Sequence, residues 1–211
     1  DIVDEDRNIQ TILSETRLAL NKAGIEGPYV LCPHSMSGIE ALYWAQEYPD
    51  EIEAIIGLDM AVPEYYENMK INLTLMKLGQ YAADLGITRL IPTLAESDAI
   101  KHGTLTDDEK NVYRAIFYSR MATVTMINEA KSVKANAGIV AQNGVPQVDM
   151  LLFISDGTGG TGFDKETWRR IQEKYISEVE SGKYIELDCP HYVHDYEYGR
   201  ISEEIKSFLS D

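Results

Sequence analysis

Ser35, Asp156 and His191 are the residues of this chain whose types and places could do chemistry together. A serine hydroxyl becomes a nucleophile when a histidine takes its proton. A carboxylate must hold that histidine in the working tautomer and support the charge it gains. Ser35 stands where a short apolar run, 29–32, meets a helical pattern, 39–48, so its hydroxyl belongs to a tight strand-to-helix turn. Asp156 follows directly on the apolar run 148–154, and His191 lies on the loop after the next short strand, 184–187. Both fall at carboxyl ends of strands, where open α/β sheets place their active sites. The chemistry of such a set is acyl transfer.

Each residue has a plainer reading. Ser35 could cap the helix that follows it by accepting a backbone N–H bond. Ser37 competes as nucleophile, but that register would put Ile39 in a slot that needs a small residue. With Ser35 as the turn residue, the slots two before and two after hold Pro33 and Ser37, with Gly38 next. Asp156-Gly157 is also an ordinary turn signal. Asp59 is the rival acid, since it ends a second apolar run, 52–58; Asp156 is the preferred one. His194 reads as a structural or supporting residue, His34 as a packing or pocket residue, and His102 as surface.

The strand, turn and helix around Ser35 resemble the α/β-hydrolase family, in particular its capped peptidase- and esterase-like members. The segment Pro190-His191-Tyr192-Val193-His194-Asp195, followed by apolar Ile201, Ile205, Phe208 and Leu209, is similar to that family's histidine loop and final helix. The resemblance implies the chain order nucleophile, acid, histidine, here Ser35, Asp156 and His191, with the Met36 backbone N–H in the oxyanion hole. It implies an α/β fold, a mainly parallel sheet flanked by helices with a helical cap inserted between strands. Likeness to proline-iminopeptidase-like enzymes would add an acidic residue to receive a substrate amine, with Glu64 or Glu67 as candidates and His34 nearby in the pocket. A carboxylesterase is equally compatible. The chain departs from the family in one respect: it matches the C-terminal two-thirds, from the helix before the serine turn onward. The strands that precede that helix, and the second oxyanion donor they carry, are expected from a missing N-terminal segment or a second chain, in preference to a curtailed sheet.

These residues need elements to hold them. Helical spacing covers 6–23, closed by Gly24. Strand, helix and strand then follow through residue 58, which reads as a parallel βαβ unit with helices on both faces. Residues 64–146 show helical periodicity and almost no strand signal, with a Met- and Tyr-rich stripe that reads as helix packing. Strand 148–154, helix 165–181, strand 184–187 and helix 201–209 complete the chain. The division is therefore 1–63 and 147–211 for the core, with 64–146 as the cap.

Composition narrows the partners. The chain has 211 residues with a net charge of −16, which argues against nucleic acid and anionic membrane surfaces. No apolar run reaches the length of a membrane helix. The acidic start lacks a signal-peptide pattern, which slightly favours the cytoplasm. Cys32 and Cys189 each end an expected buried strand and read as small hydrophobes. No His, Cys, Asp or Glu set has metal spacing, so no cofactor is expected. The expected partner is a small ester, amide or peptide. The competing reading is a non-catalytic scaffold of the same fold.

Overall fold

A computed structural model describes residues 2–67 and 69–210. The elements run α1 (Ile9–Ala23), β1 (Tyr29–Leu31), β2 (His34–Ser35), α2 (Ser37–Glu47), β3 (Ile52–Met60) and α3 (Glu64–Glu67). The helices α4 (Leu73–Asp84), α5 (Asp98–Lys101), α6 (Asp107–Arg120) and α7 (Val124–Gln142) follow. The chain closes with β4 (Asp149–Ile154), α8 (Lys165–Ile176), β5 (Gly182–Glu186), α9 (Val193–Tyr196) and α10 (Tyr198–Phe208). It divides into two compact units, Asp1–Arg7 with Lys70–Val133, and Asn8–Met69 with Lys134–Asp211.

The second unit holds the sheet. Its strands are all parallel in the order β1, β3, β4, β5, with β2 beside the far end of β3. β3 and β4 read as near-continuous apolar runs because both of their faces are covered, as a parallel sheet requires. On one face Ile56, Leu151 and Phe153 pack with Leu187, Cys189, Val193 and Ile201. Their alternates Ile55, Leu152 and Ile154 are equally buried.

Local signals account for the ends of α1. The Asn8 side chain accepts from the Thr11 N–H at 2.9 Å, and Gly24 closes the helix at φ 69°. Two expectations change. β1 is a half-exposed strand, with Val30 at 39% and Cys32 also exposed, because among the described residues it pairs on one side only. β3 runs on to Met60, so Asp59 lies inside the strand's end instead of after it.

The first unit is helical among its described residues. Asn72 caps α4, and Thr106 with Glu109 forms a capping box at α6. Neither α4 nor α6 buries a residue fully. Of the expected 64–146 segment, Lys70–Val133 forms this unit, and the flanking parts group with the sheet.

Candidate active site

Ser35 closes β2 with φ 55°, a left-handed backbone that costs a non-glycine residue on the order of 1–3 kcal/mol. The surroundings hold it there. Ala61 N–H donates to the Ser35 carbonyl at 2.7 Å, and Leu58 N–H to that of Pro33 at 2.8 Å. The Ser37 hydroxyl brackets the turn, accepting from His34 N–H at 3.0 Å and donating to the His34 carbonyl at 2.8 Å. That engagement removes Ser37 as a rival nucleophile. The position that must stay bare is Gly38, where a Cβ would lie 2.3 Å from the Ala61 carbonyl oxygen. α2 is capped at Met36 without a side-chain bond, so Ser35 is not its cap. Met36 N–H makes no backbone bond among the described residues.

The Ser35 hydroxyl instead lies 2.9 Å from His191 Nε2. His191 Nδ1 lies 2.6 Å from Asp59 Oδ2, and both side chains are buried. A carboxylate only accepts, so Nδ1 carries the proton and Nε2 is left to accept from the serine. The other Asp59 oxygen accepts from Ser155 N–H at 2.7 Å and from the Trp168 indole N–H at 2.8 Å. A fully buried carboxylate needs such partners, because an unpaired charge there is prohibitively costly. Gln172 fits the same wall with its NH2 toward the Met60 carbonyl at 3.1 Å.

Asp156 is therefore corrected as the acid beside His191. Its Oδ1 accepts from the Thr158 N–H at 2.9 Å and the Thr158 hydroxyl at 2.6 Å, a local turn. The register explains the exchange. Leu58 pairs with Phe153, which sets Asp59 beside the end of β4, where Ser155 N–H can reach it.

The loop after β4 still serves the site. His191 N–H donates to the Thr158 carbonyl at 2.8 Å, and a Cβ on Gly160 would lie 3.3 Å from the His191 ring. Arg169 ties the loops after β4 and β5 together. Its guanidinium donates to the carbonyls of Ser155 (3.1 Å) and Leu187 (3.0 Å) and pairs with Glu186 and Asp188.

His34 packs its ring on His191, His194 and Tyr192, with centroids 4.6–5.0 Å apart. It donates from Nε2 to the His191 carbonyl at 3.1 Å. Burial pushes its pKa down to about 4, so the ring is neutral at neutral pH. Burial also pushes the Cys189 thiol up to about 12, which keeps it an inert core residue. The Glu64 carboxylate is taken up by Lys174 at 2.5 Å and Arg170 at 3.7 Å, which removes the ground for giving it a substrate amine. Glu67 and His102 are exposed. No metal-holding cluster occurs among the described residues, and no described helix is long and apolar enough to cross a membrane. Sequence reasoning missed Ser155, Trp168 and Arg169. Only Trp168 carried a signal, a large aromatic in a polar helix whose indole N–H needs an acceptor once buried.

No protein-family model matches the chain. The curated relative "Uncharacterized protein YbdG" of Bacillus subtilis (strain 168) is 31% identical over 212 residues, which cover 97% of this chain. The chain spans 65% of that relative's length. Among solved structures, a Bacillus megaterium epoxide hydrolase superposes with a TM-score of 0.70 at 13% identity, covering 100% of this chain and 79% of its own. An esterase from Exiguobacterium antarcticum gives 0.68 at 11% identity, covering 100% and 77%. An epoxide hydrolase from Vigna radiata gives 0.66 at 13%, covering 100% and 80%. The shared architecture is the α/β-hydrolase fold.

Proposed function

We propose that this chain is a serine hydrolase that cleaves an ester, amide or small-peptide bond through an acyl-enzyme. The observation that carries the reading is the continuous hydrogen-bond chain from Ser35 Oγ through His191 to Asp59, at 2.9 and 2.6 Å. Ser35 attacks the carbonyl carbon while His191 Nε2 takes its proton. His191 then gives that proton to the leaving alkoxide or amine, and water repeats the sequence to release the acid. Asp59 keeps His191 in the Nδ1–H tautomer and supports the imidazolium. The Met36 N–H, unclaimed by the backbone at the start of α2, is the assigned donor to the oxyanion.

Esters are the favoured substrates over aminoacyl compounds, because Glu64 is already neutralised by Lys174 and Arg170. Structures of the same fold described as an esterase and an enol-lactonase support the choice. Lys70–Val133, inserted in the sequence between β3 and β4, is read as the cap.

The test is intact mass after treatment with a fluorophosphonate, on this chain and on Ser35→Ala. The expected result is one adduct, mapped to the peptide containing Ser35 and absent from the variant. A folded chain that takes no adduct overturns the reading and leaves the non-catalytic scaffold. Comparing p-nitrophenyl acetate with aminoacyl p-nitroanilides then separates esterase from aminopeptidase.

A further inference from the structure

We infer that the helical unit binds a free carboxylic acid with an unbranched apolar tail, the tail in a cavity between its helices and the carboxylate on Arg120. The inference stands apart from the hydrolase reading, since every residue used lies within Lys70–Val133.

The cavity has a volume of about 560 Å³, within the usual range of small-molecule sites. Met76, Tyr113, Ile116, Phe117, Met121 and Ile127 supply its walls. Methionine and aromatic walls adapt to a flexible chain better than branched aliphatic ones. Gly79 forms part of the α4 wall, and a Cβ there would meet nothing within 4 Å. Mid-helix glycine weakens a helix, and no neighbour's close approach requires it here. It leaves the wall open.

Two further observations point to a ligand. Ala122, in the turn between α6 and α7, lines the cavity at φ 52°. Only two other non-glycine residues among those described have positive φ, and they are Ser35 and Asp59 of the hydrogen-bonded set. Strain of this kind concentrates at functional sites. The second observation is charge. The chain has 35 acidic and 19 basic residues, yet the single charged residue lining the cavity is Arg120. It enters none of the ion pairs found among the described residues.

One permanent cation beside apolar walls selects an amphiphile with an anionic head. The guanidinium fork donates two parallel N–H bonds to a carboxylate. Arg120 is solvent-exposed, so the head group stays hydrated while the tail is buried, and in a protein of net charge −16 a monoanion meets less repulsion than a phosphate dianion.

The experiment is calorimetric titration of the whole chain with decanoate below its micelle concentration, and with decanol as the uncharged counterpart. Decanoate binds one to one, and each added methylene tightens binding by about fourfold. Arg120→Gln weakens decanoate roughly fivefold and leaves decanol unchanged. Gly79→Leu, whose Cβ meets nothing within 4 Å, adds a bulky group at the α4 wall, raises helix propensity, and weakens binding of both. Three results overturn the inference: no decanoate binding to the folded chain, binding indifferent to Gly79→Leu, or an Arg120→Gln loss shared equally by decanol. A dimer or vesicle adsorption that Gly79→Leu removes, in place of one-to-one uptake, overturns it as well.

Discussion

His191 Nδ1 donates to Asp59 Oδ2 at 2.6 Å across 132 positions of sequence, and the same carboxylate is gripped from behind by Trp168 and Ser155. This makes Asp59 the end of β3 that faces the histidine loop, and it leaves Asp156 to shape a turn.

The contrast predicts opposite outcomes at two aspartates. Asp59→Asn removes the acceptor that fixes the His191 tautomer, and kcat on p-nitrophenyl acetate falls by about 10⁴. Asp156→Asn keeps one acceptor oxygen for the Thr158 turn and leaves kcat within a few-fold. Equal losses in the two variants would reinstate Asp156 as the acid.

Trp168→Phe keeps an aromatic ring against Tyr65 but loses the N–H to Asp59 together with part of the buried indole's volume. The buried carboxylate then lacks one donor, which lowers stability by roughly 1.5–3 kcal/mol and slows hydrolysis. Urea denaturation with parallel kinetics measures both. An unchanged midpoint would mean that Ser155 N–H alone satisfies that oxygen.

Two glycines respond in opposite ways to alanine. Gly38→Ala drives a methyl to 2.3 Å from the Ala61 carbonyl, so the serine turn must shift. Stability falls by about 1–3 kcal/mol, and fluorophosphonate labelling slows. Gly79→Ala meets open space in a helix interior and adds roughly 0.5–1 kcal/mol. Urea midpoints for the two variants give the signs.

His34 sets a pH dependence. Burial lowers its folded pKa to about 4 from the ordinary 6.5, so between those values the unfolded chain binds the extra proton. The His34 contribution is therefore complete above about pH 6.5 and is lost as pH falls toward 4. The ring is partly exposed, and solvent screening reduces the effect to on the order of 1 kcal/mol. His34→Gln flattens stability against pH over that window. A variant as pH-sensitive as the parent would assign the slope to other groups.

Ser35 and His191 were legible because their signals are local. A serine between a short strand and a helical pattern, with Pro33, Ser37 and Gly38 around it, marks a strand-to-helix turn, and the apolar spacing of Ile201, Ile205 and Phe208 marks the helix after the histidine loop. The alternation of apolar strands with helices likewise carried the parallel sheet. Cys32 was misread because a short apolar run looks the same at an edge as in a centre, and only strand pairing distinguishes them.

The carboxylate beside His191 could not be read the same way. Asp59 and Asp156 each sit beside a strand end, and their sequence contexts do not distinguish them. What decided between them is that β3 extends to Met60 and pairs Leu58 with Phe153. That register brings Asp59 to Ser155, Trp168 and His191 at once, while Asp156 turns onto Thr158. The sequence by itself determined which residue types could react and the elements that carry them. Tertiary structure alone decided which carboxylate is buried, because desolvating a charge is tolerable only where three donors from distant elements converge on it.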